Sequence, residues 1–134
     1  MESMDRAPDV VRALWDAFER RDWTAARRLL ADDAVMTWVC TAERFHGGDA
    51  IIEVNARYPE GWSIRVIDCS ALDDGRILSL VCVTHPPQRF FATSLFRVAQ
   101  GHIQAIEEYW ATAEAPPAWR SGGNLPGYER LADA

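Results

Sequence analysis

From Phe90 to Trp110 the chain reads FFATSLFRVAQGHIQAIEEYW, two runs rich in β-branched and aromatic residues parted by Ala99-Gln100-Gly101. No other stretch limits the fold as much, because two such runs around a Gln-Gly pair predict an antiparallel hairpin. Strand alternation places Phe90, Ala92, Ser94, Phe96 and Val98 on one face, with Phe91, Thr93, Leu95 and Arg97 on the other. In the second run Gln104, Ile106, Glu108 and Trp110 oppose Ile103, Ala105, Glu107 and Tyr109. Both faces carry apolar residues. A sheet covered by helices on one side and by a second copy of the chain on the other satisfies that pattern, so a homodimer is expected.

The rest of the chain supplies the cover. Pro8 suits a first helical turn. Val11, Leu14, Trp15 and Phe18 then recur at helical spacing to about Arg20. Asp22 is placed to cap a second helix whose inner face is Trp23, Ala26, Leu29 and Leu30. A strand over Val35–Thr41 follows, then a turn at Gly47-Gly48-Asp49 and a short third helix marked by Ile51, Val54, Asn55 and Tyr58. Trp62–Ala71 and Arg76–His85 read as strands joined at Asp73-Asp74-Gly75, and Pro86-Pro87 turns the chain into the Phe90 hairpin. The order is ααβαββββ, an α+β architecture in which a curved antiparallel sheet wraps around N-terminal helices and leaves a cavity between them. Residues 1–113 read as one domain, and the Pro- and Gly-rich residues 114–134 as an irregular tail.

Charge and residue usage exclude several functions. The net charge is −6 and no basic stripe occurs, which argues against nucleic acid as a partner. All fourteen basic residues are arginine, so chemistry that needs a chain lysine is absent: no Schiff base, no pyridoxal phosphate anchor and no phosphate-loop lysine. Cys40, Cys69 and Cys82 form no CxxC and read as buried free thiols. His46, His85 and His102 lack metal-ligand spacing, and neither a metal nor an organic cofactor is expected. No apolar run approaches the roughly 20 residues of a membrane span. With Glu2, Asp5 and Arg6 at the N-terminus in place of a signal peptide, no membrane partner is expected and the cytoplasm is the expected compartment.

Several local strings, in this order, resemble the nuclear transport factor 2-like superfamily. They are Asp22-Trp23, LADDAV at Leu30–Val35, FHG at Phe45–Gly47 and GHIQAIEEYW at Gly101–Trp110. Within the superfamily the chain is similar to SnoaL-like and ketosteroid isomerase-like proteins, and the tail string APPAWR is similar to an ending of bacterial members. The resemblance implies a cone-shaped, cystatin-like α+β fold, a homodimer and an apolar pocket inside the cone. It does not imply one activity, because isomerases, dehydratases, cyclases, hydrolases and non-catalytic binding modules share the fold.

Carried over residue by residue, the isomerase machinery is missing. The proton-shuttling aspartate of the first strand falls at Trp38, the oxyanion-stabilising tyrosine of the first helix at Leu14, and its partner acid near Ser94. The cyclase-type acid falls near Ala111. The same resemblance turns Ile106, Glu108 and Trp110 toward the pocket. Glu108 then has two readings, an ionisable group in an apolar cavity or a carboxylate paired with Arg120 or Arg44. His46, entering the third helix, and His85, at a strand end, are its possible acid–base partners or simple turn residues. Leu14, Trp15, Phe18, Trp38, Cys40, Tyr58, Phe90, Ser94, Ile106 and Trp110 are the expected ligand contacts, with Trp38 and Trp15 as aromatic walls. Trp62, Trp119 and Tyr109 read as packing or interface aromatics. Three functions follow: a domain binding a small apolar or aromatic molecule, a cofactor-independent enzyme using Glu108 with a histidine, and a protein-interaction module.

Overall fold

The structure, a computed structural model, describes residues 2–132. Helix α1 spans Glu2–Glu19 and α2 spans Trp23–Arg28; strand β1 (Leu30–Trp38) and β2 (Glu43–His46) precede α3 (Gly48–Arg57). Strands β3 (Ser63–Ala71), β4 (Ile77–His85), β5 (Gln88–Ala99) and β6 (His102–Thr112) complete the sheet, and a one-turn helix α4 (Ala118–Ser121) lies in the tail. The sheet has six strands in the order β2-β1-β6-β5-β4-β3 and curves around α1 without closing. Among the described residues no helix is long and apolar enough to cross a membrane.

Helix α1 buries Ala7, Val11, Leu14, Trp15 and Phe18, a stripe of 3.6-residue period, against the concave face. It extends further than expected: six residues precede Pro8, which sits inside the helix rather than in its first turn. The Asp22 cap is present, with Asp22 Oδ1 accepting the Ala25 N–H at 3.0 Å. That bond is the main reason its carboxyl is held below the usual range. The hairpin between β5 and β6 turns on Gln100 and Gly101, at φ 55° and 78°. Two consecutive left-handed residues are what a tight turn matching the strand twist requires, and Gly101 takes that conformation without a Cβ penalty.

Four features of the sheet differ from expectation. Strand β1 starts at Leu30 and ends at Trp38, and residues 39–41 form a 3₁₀ turn closed by Ala42 at φ 58°, where an extended strand cannot continue. The turn sends the chain back as β2, a short polar strand (ERFH) without the alternation that would announce it. The sheet is mixed, since β1 runs parallel to β6 while the other pairs are antiparallel. Finally, Arg97 pairs with Ala105 but Val98 pairs with Ile103, so Gln104 is the extra residue of a β-bulge. The bulge reverses the alternation and puts Ile103 (0 % exposed) on the inner face together with Ile106.

Candidate functional site

The register stacks residues of four strands into rungs across the concave face. One rung runs Ile77–Phe96–Ile106–Met36, through the pairs Ile77↔Phe96, Phe96↔Ile106 and Met36↔Ile106. Two residues along each strand, the next runs Ser79–Ser94–Glu108–Trp38. Residues directly opposite on neighbouring strands are within side-chain reach, and here they bond. Ser94 donates its hydroxyl to Glu108 Oε2 at 2.9 Å, and Trp38 donates its indole N–H to Glu108 Oε1 at 2.9 Å. At the far end of the rung Trp15 of α1 donates its indole N–H to Ser79 Oγ at 3.0 Å.

Glu108 is thus a buried carboxylate, 5 % exposed, held by neutral donors alone. Burial drives its pKa above the ordinary carboxylate range; the hydrogen bonds from Ser94 and Trp38, with a smaller contribution from the Trp110 indole, pull it back only in part. The balance is physically reasonable. A hydrogen bond to a charged group contributes about 1.5–3 kcal/mol, whereas taking a carboxylate out of water costs several kcal/mol when no cation compensates. The arginine pairing is not realised: Arg44 bonds to Thr37 Oγ1 at 3.0 Å, and Arg120 stacks over the Trp119 ring.

Beside this rung opens a cavity of about 320 Å³. Helix α1 contributes Trp15 and Phe18 to it, and β1 with the following turn contributes Trp38, Cys40 and Thr41. Asn55 and Tyr58 come from α3 and its end, Trp62 from just before β3 and Ile64 from its start, and Val83, Phe90, Trp110 and Thr112 from β4, β5 and β6. Glu43 of β2, opposite Trp38, completes the wall. The turn carrying Cys40 is tied to the sheet, since Cys40 Sγ donates to the Trp110 carbonyl at 3.3 Å. Phe90 and Trp110 meet edge to face at 6.3 Å, as do Trp38 and Phe45 at 4.8 Å. The Trp62 ring lies beneath the Arg21 guanidinium at 3.4 Å, and its buried indole N–H has no hydrogen-bond partner among the described residues.

The expected contacts divide into two sets. Trp15, Phe18, Trp38, Cys40, Tyr58, Phe90 and Trp110 line the cavity; Leu14, Ser94 and Ile106 lie in the closed core instead. Glu108 belongs to neither, standing behind two lining rings, Trp38 and Trp110. Neither candidate histidine bonds to it. His46 is exposed on β2 opposite Val35, while His85 Nε2 lies 3.0 Å from the Glu60 carbonyl oxygen, its ring 6.2 Å from Tyr58. Tyr58 is 41 % exposed and is therefore a rim residue rather than core. Cys40 is exposed, unlike buried Cys69 and Cys82, which corrects the uniform picture of buried thiols. Among the described residues no cluster of three or more His, Cys, Asp or Glu could hold a metal ion.

Sequence reasoning missed Thr41, Glu43, Asn55, Ile64, Val83 and Thr112, and took Trp62 for a packing or interface aromatic. Glu43 could be found only by knowing that β2 folds back onto β1. Ile64 and Val83 carry a weak signal, since alternation puts both on the inner face of strands that were anticipated.

Residues 11–106 match the family described as SnoaL-like domain. No curated protein sequence matches the chain. Among solved structures it is similar to a Kribbella flavida protein provisionally named a ketosteroid isomerase, with 25% identity, a TM-score of 0.83 and coverage of 96% of this chain and 92% of that one. An NTF-2 like protein of unknown function from Burkholderia xenovorans aligns at 17% identity and a TM-score of 0.76, covering 98% of both chains. A Mycobacterium tuberculosis LEH-like epoxide hydrolase aligns at 23% identity and a TM-score of 0.67, covering 80% of this chain and 84% of that one. The last two show the fold alone.

Proposed function

The chain belongs to the SnoaL-like domain family, and from that premise we propose that it is a cytoplasmic, homodimeric domain that binds a small apolar or aromatic molecule in the cone. One observation supports this above all: a cavity of about 320 Å³ in which half of the lining residues are aromatic, with the buried Glu108 carboxylate set behind the wall. Such a space suits a small organic guest. Its one lining carboxylate, Glu43, accepts the Thr41 hydroxyl. Native mass spectrometry of freshly purified protein tests the reading, with a small-molecule adduct expected that denaturation releases. Ile64→Phe, which narrows the cavity, should lower its occupancy. The reading fails if the protein carries no adduct and binds no apolar probe.

Steroid enone isomerisation should be absent, because Trp38, Leu14 and Ser94 stand where the resemblance places the base, the oxyanion donor and its partner acid. Trp38→Asp alone should not create the activity, since one missing oxyanion donor withholds about 3–4 kcal/mol of transition-state stabilisation. Turnover of a steroid enone by the unaltered chain would overturn this. An acid–base enzyme is the second reading, favoured by the raised pKa of Glu108. It requires the Trp38 indole to move off Glu108 Oε1 when substrate enters.

The homodimer is proposed through the convex face, where Leu78, Leu80, Phe91 and Leu95 are half-buried and Ile67 and Tyr109 exposed. Sedimentation equilibrium should show dimers at tens of micromolar, on the order of working concentrations for an interface of standard size. A monomer there counts against it.

A further inference from the structure

The cavity wall has one sign of charge. Seven of its fourteen residues are aromatic, none is basic, and the single ionisable carboxylate is Glu43. Glu43 faces Trp38 across the β1–β2 pair, and its Oε1 accepts the Thr41 hydroxyl at 2.7 Å. A second carboxylate stands behind the rings: Glu108, whose Oε1 accepts the Trp38 indole N–H at 2.9 Å.

The face of an indole is the negative pole of its quadrupole, and a cation over it is attracted most strongly where water is excluded. An N–H that donates to a carboxylate is polarised further, which moves electron density toward the ring. Trp38 is such a ring. Arg21, stacked on Trp62, does not reverse the field, because Glu60 pairs with it at 3.0 Å. The chain as a whole, at −6, attracts cations.

We propose that the cavity receives an organic cation, an ammonium or quaternary ammonium group on an apolar body, held against the Trp38 and Trp110 rings with Glu43 at the rim and Glu108 as buried counter-charge. The proposal rests on the cavity being the ligand site and specifies the class of ligand. It also gives Glu108 a purpose. A buried carboxylate with only neutral donors weakens the fold, and a neutral guest would leave that cost standing. A cation seated on the intervening rings reduces it.

Two probes of nearly the same shape separate charge from shape: benzyltrimethylammonium and its neutral carbon isostere, neopentylbenzene. Titrated against the full chain and followed by tryptophan fluorescence, the cation should bind at least about tenfold more tightly, equivalent to about 1.4 kcal/mol. Glu43→Gln, at an exposed position, and Glu108→Gln should each weaken the cation several-fold and leave the isostere unchanged. Circular dichroism reports whether each variant is folded. Equal or tighter binding of the isostere overturns the cation assignment and leaves the cavity reading intact, as does an unaltered cation affinity in both folded variants. Binding of neither probe overturns both.

Discussion

Two neighbouring rungs of the sheet do opposite work. Ile77, Phe96, Ile106 and Met36 are between 0 % and 3 % exposed and belong to the apolar core, so their contribution grows with buried area and needs no particular orientation. Ser79, Ser94 and Glu108 are as deeply placed, at 0 %, 0 % and 5 %. Their rung is stable only because each donor meets its acceptor at the stated distance. The apolar rung closes the cone and holds the fold. The polar rung fixes two of the four indoles that line the cavity, Trp15 and Trp38, and so helps to set the cavity's shape. A shift of two residues along four strands separates a rung held by apolar burial from one held by directed hydrogen bonds.

The largest expected effect tests the apolar rung. Phe96→Ala removes a fully buried ring and should cost about 3–5 kcal/mol in urea denaturation. A loss below about 0.5 kcal/mol, the range of surface changes, would mean that the closed end is not where stability resides.

The polar rung should respond less. Ser94→Ala deletes one of the donors on Glu108 and leaves a buried acceptor short of a partner, for a loss of about 1–3 kcal/mol.

Glu108→Gln is read by its slope with pH rather than its size. With the folded-state pKa raised by burial, the folded protein keeps a proton over an interval in which the unfolded chain has lost it. Stability from this group is therefore complete below the ordinary carboxylate pKa, declines as pH rises toward the folded value and is level above it. A glutamine side chain does not titrate, so the variant should gain on the wild type as pH rises from below the ordinary carboxylate pKa to above it, compared by thermal denaturation. The opposite slope would place a cation beside Glu108 and break the account of the rung.

Glu107→Gln is the smallest change and the control. Its side chain lies on the convex face and is exposed, with the Tyr109 hydroxyl donating to it. It should alter stability by no more than about 0.5 kcal/mol, less than its neighbour should. A larger effect than that of Glu108→Gln would indicate an exchanged register.

Much of the architecture is written locally. The period of Val11, Leu14, Trp15 and Phe18, the Asp22 cap, the Gln100-Gly101 turn and the alternation Ala92–Ser94–Phe96 each depend on residues within a turn or two, and steric and hydrogen-bonding rules act at that range. Glu108 stood out through the resemblance to isomerase-like proteins, which turns Ile106, Glu108 and Trp110 toward the pocket. What surrounds it was illegible. Its donors come from positions 94 and 38, brought together by the β5–β6 and β1–β6 registers. The parallel pairing of β1 with β6 and the return of β2 bring distant segments together, and no local pattern encodes either. The bulge at Gln104 is decided by the need to bury Ile103 and Ile106 on the same side. Sequence by itself determined the apolar stripe of α1, the inner face of β5, the Asp22 cap and the Gln100-Gly101 turn, because those follow from near neighbours. Only the tertiary structure decided that Glu108 faces indoles and a serine rather than an arginine, because that depends on which strands lie on either side.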